Sequence, residues 1–137
     1  MLGDSPTEVP ADSCECTPQP PEPVRTVTHC DEAGVQKAAA MINAARKPLV
    51  VFGGGVRGAA GCQPPRDLLA KAEIPATYTL MAAGVLAYGE PLNLGLLGMH
   101  GCYTANKAVD EADLVIAVGT RFSDRVATDP AIFAKQA

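Results

Sequence analysis

Leu114-Val115-Ile116-Ala117-Val118 runs directly into Gly119-Thr120-Arg121-Phe122-Ser123-Asp124-Arg125, and this stretch decides the fold class. A short, wholly apolar run is typical of a parallel strand that is covered on both faces. A glycine and two arginines then stand where the chain leaves that strand. In an open α/β sheet, ligands bind at this position. We therefore predict a buried strand over 114–118 and a ligand-facing loop after it.

The rest of the chain alternates predicted helices with predicted strands. Further strands are expected over Leu49–Phe52, Ile74–Leu80 and Leu94–Leu97. Helices are expected from the N-cap Asp31 to Lys47-Pro48, over Arg66–Ala72 and Thr104–Glu111, and from Asp129-Pro130 onward. On the first helix, one face carries Val35, Ala38, Ala39, Ile42 and Ala45. Because the connections are short, the pattern predicts an α/β fold with a mostly parallel sheet, right-handed crossovers and helices on both faces.

Composition excludes several classes of partner. The chain has 137 residues, 47% of them hydrophobic, and a net charge of −4, whereas a nucleic-acid partner calls for a basic face. No apolar run is long enough to cross a membrane, and Met1-Leu2-Gly3-Asp4 does not resemble a secretory signal. We therefore expect a cytoplasmic protein without a nucleic-acid or membrane partner.

The first 28 residues differ from the rest. They hold six of the 12 prolines and no apolar periodicity, which predicts a disordered linker or tail rather than a packed unit. The five cysteines are odd in number and irregularly spaced, which favours free thiols over disulfides. Cys14, Cys16, His29 and Cys30 do not match the usual zinc-ligand spacings, so no metal site is expected there.

A glycine-rich segment follows the strand predicted over Leu49–Phe52. Gly53, Gly55 and Gly58 satisfy G-x-G-x-x-G, but no helix opens at once and residues 76–82 contain no carboxylate for a ribose hydroxyl. The pattern thus disfavours an NAD fingerprint. Two interpretations stay open: the glycines permit a tight turn, or they allow the backbone to approach a phosphate or ribose.

All strand ends of a parallel sheet meet at one edge, so the loops after the four strands are expected to converge. Arg121 and Arg125 each carry a guanidinium group that can bind phosphate oxygens in a bidentate manner. The alternative is a solvated salt-bridge cluster with Asp124. His100 can stack or donate a hydrogen bond, and Met99 is as consistent with ordinary packing as with a cofactor wall.

Several motifs together resemble the central domain of thiamine-diphosphate enzymes, most closely the large catalytic subunit of acetolactate synthase. They are Leu49–Gly55, Ile74–Met81 with Gly84, Leu94–Gly101, Ala105-Asn106 with Ala108-Val109, Ala112–Leu114 and Gly119–Val126. The resemblance implies a three-layer Rossmann-like (deoxyhypusine-synthase-like) domain over residues 29–137 that is incomplete at its C-terminus.

In that family the central domain holds FAD, and in the synthase the flavin has no net redox role. The resemblance implies no catalytic residue and no metal ligand here, and it implies contacts to FAD from Gly53, Gly54, Thr79, Leu80, Leu97, Gly98, Met99, His100, Gly119, Arg121, Arg125 and Val126. Thiamine diphosphate and magnesium bind the N- and C-terminal domains of the family. Those domains or a partner subunit are therefore the implied partners, in an enzyme that is typically a homo-oligomer.

The resulting expectation is a catalytically silent piece of an acetolactate synthase-like enzyme, which condenses 2-oxo acids in branched-chain amino acid synthesis. A second hypothesis is a stand-alone nucleotide-cofactor-binding or assembly module. Oxalyl-CoA decarboxylase and glyoxylate carboligase share part of the motifs and are the alternatives within the family. An NAD-binding relative of the deoxyhypusine-synthase-like fold is a weaker one.

Overall fold

The computed structural model describes residues 31–57, 63–127, 129 and 131–137. The predicted linker over 1–28, the cysteine and histidine group considered for zinc, and Gly58 of the glycine pattern all lie outside the described residues. Residues 31–137 form a compact unit of their own.

Four parallel strands form one sheet within residues 31–137 as described above. They are β1 (Pro48–Phe52), β2 (Ala76–Tyr78), β3 (Asn93–Leu96) and β4 (Leu114–Val118). Their order across the sheet is β3-β2-β1-β4, and every neighbouring pair is parallel. Consecutive strands β3 and β4 are thus joined by a crossover that passes over β2 and β1. The predicted parallel α/β sheet is confirmed.

In the part of the chain that the structure describes, three α-helices accompany the sheet: α1 (Glu32–Ala44), α2 (Gln63–Ala72) and α3 (Tyr103–Glu111). Two 3₁₀ turns follow the first two strands, over Gly54–Arg57 and Leu80–Ala82. Helix α2 begins with Pro64 and Pro65 in its first turn, where the missing N–H of proline costs nothing. No helix in the described ranges is both long and apolar enough to span a bilayer.

The core has two sides, divided by β1. Val50 and Phe52 point to one side and pack with Leu69 of α2, while Leu49 and Val51 point to the other side, toward α3. These four side chains of β1 are at most 2% exposed, whereas Pro48 at the start of the strand is half-buried. This alternation follows from the period of two along a strand, and it confirms the expected three layers with helices on both faces.

Strand β4 is less buried than its apolar sequence predicts, so the expectation of a buried strand is wrong. Leu114 is half-buried and Ala117 is exposed, because β1 is the only strand that pairs with β4 in the described part of the chain. The apolar face of α1 is likewise uncovered. Val35 is 53% exposed and only Ile42 of this helix packs against the core.

Two further predicted elements differ from the structure. The strand expected over Ile74–Leu80 is only three residues long, because the chain turns into a 3₁₀ helix at Leu80, whose side chain is 71% exposed. The helix expected after Asp129 is a series of turns over 131–136, in which the Asp129 carbonyl accepts bonds from the N–H groups of Ile132 and Phe133.

One carboxylate ties the start of β1 to the start of β4. Asp113 accepts hydrogen bonds from the backbone N–H groups of Arg46 and Lys47, at 2.8 and 2.9 Å. These two bonds lower the pKa of Asp113 below its ordinary value because they stabilise the charged form. The turn that precedes β1 is therefore held by a residue from the turn that precedes β4.

Candidate functional site

A cavity of about 680 Å³ opens at the edge where the four strands end. Its walls come from the loops that follow β1, β2, β3 and β4, as expected for parallel strands whose carboxyl ends share one edge. This volume lies within the range that is typical of small-molecule and cofactor sites, roughly 300–1,000 Å³. The cavity is therefore the candidate functional site.

Ten of the twelve residues predicted to contact a cofactor line this cavity. They are Gly53, Gly54, Thr79, Leu80, Leu97, His100, Gly119, Arg121, Arg125 and Val126. The other two, Gly98 and Met99, line a smaller neighbouring cavity of about 260 Å³. The structure thus brings the predicted residues to one region, and their contact with a cofactor stays a prediction.

The glycines after β1 pack against the loop after β4. A Cβ added to Gly53 would lie 2.3 Å from the carbonyl oxygen of Gly119 and 2.3 Å from the Cα of Thr120. The N–H of Gly55 also donates to the Gly119 carbonyl at 2.9 Å. Gly53 therefore has a structural reason to be glycine that involves no ligand. At this position the contact favours a local structural role, as in the tight-turn interpretation, over approach to a phosphate or ribose.

The loop after β1 also lacks the geometry of a conventional dinucleotide fingerprint. It continues into a 3₁₀ turn over Gly54–Arg57, and α2 begins only at Gln63. Within the described ranges 31–57 and 63–127, no α-helix therefore begins directly at these glycines, so this part of the site differs from the NAD-binding arrangement that the sequence disfavoured.

The loop after β3 is fixed against the loop after β4. Gly98 has a φ of +112°, and a Cβ there would lie 2.5 Å from the carbonyl oxygen of Arg125. The next N–H, from Met99, donates to that same carbonyl at 2.8 Å. Only glycine fits at position 98, because the conformation and the close contact both exclude a side chain.

An amide side chain holds this loop from behind. The Oδ1 of Asn106, on α3, accepts from the N–H of Gly98 at 3.0 Å, and its Nδ2 donates to the carbonyl of Gly98 at 3.0 Å. The same carbonyl also accepts from the N–H of Gly101 at 2.8 Å. Both backbone polar groups of Gly98 are thereby paired with protein atoms.

The charge on the cavity walls is positive. Arg57, Arg121 and Arg125 all line the cavity, and none of its described lining residues is an aspartate or glutamate. The alternative of a salt-bridge cluster requires Asp124 to pair with an arginine, and no such pair occurs within the described residues. The cationic groups therefore face the cavity without an anionic side chain to neutralise them there.

Apolar side chains complete the rim. Leu80 and Met81 are 71% and 65% exposed, which is unusual for side chains of this size beside a cavity. Phe122 adopts a left-handed backbone with φ of +46° and packs edge-to-face on Phe133, with ring centroids 5.6 Å apart. A ligand that covers this rim would remove apolar surface from water.

Sequence reasoning missed Arg57 as a site residue. It follows the glycine segment in the sequence Gly-Gly-Gly-Val-Arg and donates from Nη1 to the carbonyl of Met81 at 3.4 Å. The sequence feature that could have identified it is a cationic residue four positions after Gly53. A single 3₁₀ turn brings a residue at that spacing back toward the strand end. The side-chain role of Asn106 was equally unmarked by spacing alone.

The described lining residues of this site offer guanidinium groups, backbone donors and one imidazole, and none of them is a carboxylate. No group of three or more histidine, cysteine, aspartate or glutamate side chains suited to a metal occurs among the residues with described positions. The arrangement fits an anionic ligand that carries an apolar part.

Sequence comparisons relate this chain to known proteins. The family described as "Thiamine pyrophosphate enzyme, central domain" matches residues 35–137. The chain is 50% identical over 94 residues to the acetolactate synthase isozyme 1 large subunit of Escherichia coli (strain K12), which covers 69% of this chain and 16% of that protein. It is 46% identical over 104 residues to the mitochondrial acetolactate synthase catalytic subunit of Saccharomyces cerevisiae, covering 75% and 15%. The chain thus spans about one sixth of the length of these curated relatives.

Proposed function

The chain belongs to the central-domain family of thiamine pyrophosphate enzymes, and from that premise we propose that its cavity holds FAD. In this proposal the chain contributes a binding site and structure, not catalytic groups, to an acetolactate synthase-like enzyme. The single observation that carries the proposal is the cavity at the strand ends, lined by three arginines and no described carboxylate.

The residues present fit a flavin dinucleotide in charge. FAD carries a diphosphate, and guanidinium groups bind phosphate oxygens through paired, charge-assisted hydrogen bonds. Arg121 and Arg125 come from one loop and Arg57 from another, so three cations flank the same space. Unpaired positive charge around a cavity favours a ligand with a negatively charged middle.

The residues also fit FAD in polarity and size. The exposed side chains of Leu80 and Met81 would cover a flat aromatic ring, and Leu97 and Val126 line the same cavity. His100, which is also in the wall, can stack or donate to a ring. In the synthases that this chain resembles, bound FAD supplies no net redox chemistry, so these residues would bind and orient it and exclude water.

The activity of the larger enzyme is part of the same proposal. The similarity to acetolactate synthase subunits favours that activity, the condensation of two 2-oxo acids, over oxalyl-CoA decarboxylase or glyoxylate carboligase. Thiamine diphosphate and magnesium would be held by N- and C-terminal domains or by a partner subunit, in a homo-oligomer. No described residue of this chain is assigned to either group.

A flavin titration of the 137-residue chain tests the binding site. FAD fluorescence is read without interference from tryptophan, which the chain lacks. We expect saturable binding that Arg121→Ala weakens by about 10- to 100-fold, because a hydrogen bond to a charged group contributes about 1.5–3 kcal/mol. Arg46→Ala is the matched control, since Arg46 is exposed and does not line the cavity. Absence of binding at any FAD concentration, or equal loss in both variants, contradicts the proposal.

The catalytic part has its own test. We expect the chain by itself to leave pyruvate unchanged, because the thiamine diphosphate chemistry requires groups that this proposal places elsewhere. Acetolactate formation by the purified chain with thiamine diphosphate and magnesium would overturn that part. FAD binding without turnover is also what the stand-alone module hypothesis expects, and pull-down of the remaining enzyme domains separates the two.

A further inference from the structure

The small cavity and the large cavity share a wall, and the Gly98 peptide lies in it. Gly98 and Met99 line the small cavity together with Asn106, whereas His100 and Arg125 line the large one. Leu97 and Val126 border both. The position of this short segment therefore determines the shape of the large cavity on the side of Arg125.

We propose that Asn106 is a positioning residue that fixes this wall through the Gly98 peptide and thereby holds His100 and Arg125 at the cavity. The part of the inference that concerns FAD rests on the proposed function. Asn106 itself does not line the large cavity, so it acts only through the residues that it positions.

The bonds made by Asn106 require an amide. Its Oδ1 accepts from the Gly98 N–H while its Nδ2 donates to the Gly98 carbonyl, both at 3.0 Å. A side chain with two donors or two acceptors satisfies only one of these groups. The half-buried amide thus bonds both backbone polar groups of one residue, Gly98, and fixes the position and direction of the two peptide units that flank it.

From Gly98 the restraint passes directly to the arginine loop. Met99 donates to the Arg125 carbonyl at 2.8 Å, and the missing side chain at Gly98 allows that carbonyl to approach. Val126 and Ala127 in turn donate to the Ser123 carbonyl, at 2.8 and 2.9 Å, which closes the arginine loop into a turn. An unbroken series of hydrogen bonds therefore links α3 to Arg125.

Three variants of the full chain test the inference. Asn106→Ala removes both bonds. Asn106→Asp keeps the acceptor for the Gly98 N–H but places a negative oxygen against the Gly98 carbonyl until the carboxyl is protonated. Thr104→Ala is the control, because Thr104 is an exposed residue of the same helix and lines neither cavity.

The first measurement does not depend on any ligand. Amide hydrogen exchange by NMR at Gly98 and Met99 reports whether the wall is held, and we expect at least tenfold faster exchange in Asn106→Ala and no change in Thr104→Ala. The second measurement is FAD affinity. We expect about a tenfold loss in Asn106→Ala, the order of one or two net hydrogen bonds, with a global unfolding midpoint that still leaves the variant folded under assay conditions.

Rescue by acid separates positioning from general loss of stability. A protonated carboxyl matches the amide, with one donor and one acceptor, so Asn106→Asp should regain FAD affinity relative to Asn106→Ala as the pH falls from 7 to about 4, the ordinary pKa range of an aspartate. Asp110 and Asp129 line the small cavity with residue 106 and His100 lies in the other wall, so the unmodified chain and Asn106→Ala are measured at each pH as baselines.

The outcomes are distinct. Faster exchange at Gly98 and Met99 together with acid rescue supports the inference. Unchanged exchange in Asn106→Ala overturns it, as does an FAD affinity equal to that of the unmodified chain. If the unmodified chain fails to bind FAD, the proposed function fails, and the exchange rates alone then decide whether Asn106 fixes the wall.

Discussion

Replacing Gly53 by alanine tests the central packing claim, that the loops after β1 and β4 meet backbone to backbone. The added Cβ would lie 2.3 Å from the Gly119 carbonyl oxygen, whereas ordinary contact begins at 3.4 Å, so the two loops must separate by about 1 Å. Neither partner is a flexible side chain that can move aside. The separation also strains the bond from the Gly55 N–H to Gly119, which is 2.9 Å long.

These effects give the expected magnitude. Overpacking costs about 1–3 kcal/mol, and the loss of one backbone hydrogen bond adds roughly 1 kcal/mol. We therefore expect Gly53→Ala to lower the free energy of unfolding by about 2–4 kcal/mol. The position has an ordinary φ, so steric contact and not backbone strain is the cause.

The matched control is Gly34→Ala on the exposed side of α1. There the added Cβ meets only the side chain of Asp31, at 2.9 Å, which can rotate away. Alanine is favoured over glycine inside a helix by about 0.8–1.0 kcal/mol, so this variant should be as stable as the unmodified chain or more stable. The same chemical change is thus expected to have opposite signs at the two positions.

Equilibrium urea unfolding followed by circular dichroism measures both variants, since the chain has no tryptophan for fluorescence. A Gly53→Ala chain whose unfolding free energy lies within 0.5 kcal/mol of the unmodified value, about the size of a neutral surface change, refutes the packing claim. A parallel loss in Gly34→Ala would indicate that alanine is harmful for some other reason.

Two further expectations concern stability. The lowered pKa of Asp113 means that its two backbone bonds stabilise the fold fully above pH 3.8, the ordinary pKa, and lose this effect as the pH falls through the lower folded-state pKa. Asp113→Asn should therefore lower the urea midpoint at pH 7. The difference in midpoint between this variant and the unmodified chain should shrink below pH 4. A difference that grows in acid would contradict this assignment. Phe52→Ala should lower the free energy of unfolding by about 3–5 kcal/mol because Phe52 is fully buried. Tyr88→Ala, at a fully exposed position, should change it by no more than about 0.5 kcal/mol. Similar losses in the two variants would mean that Phe52 is not in a packed core.

The sequence predicts the central part of this fold well because the strongest signals are local. The apolar run Leu49–Phe52 is the most buried strand, and the periodicity of Ala105, Ala108 and Val109 correctly identifies the inward face of α3. Both signals arise because Leu49 and Val51 of β1 pack against Ala105 and Val109 of α3. Alternating helices and strands then lead to the parallel order, since short connections leave few other topologies.

The burial of β4 could not be predicted in the same way. The runs Leu49–Phe52 and Leu114–Val118 are equally apolar, yet the first lies between two strands and the second is paired on one side in the described residues. The apolar composition of a strand shows that its side chains can be buried. Whether they are buried depends on the position of the strand in the sheet. The exposed face of α1 was unpredictable in the same way, because its apolar periodicity does not say whether another element covers it.

The candidate site was predictable in its location but not in its internal contacts. Strand ends and glycines indicate an edge where ligands bind, and ten of the twelve residues that the family resemblance implies as cofactor contacts line one cavity at this edge. The contact of Gly53 with Gly119 and the bonds of Asn106 to Gly98 depend on how separate loops meet. No pattern within a single loop encodes such a meeting.

The register of β1 has a consequence for how this chain acquires its shape. Pro48 pairs with Leu114, so the innermost strand gains one of its two neighbours from a segment that is synthesised 66 residues later. Until then one edge of the run Leu49–Phe52 has no paired strand. Closing the long loop between β1 and β4 slows folding, and the apolar run stays exposed in the meantime. On a ribosome, the nascent chain would therefore keep this apolar edge of β1 unpaired until Val118 has emerged.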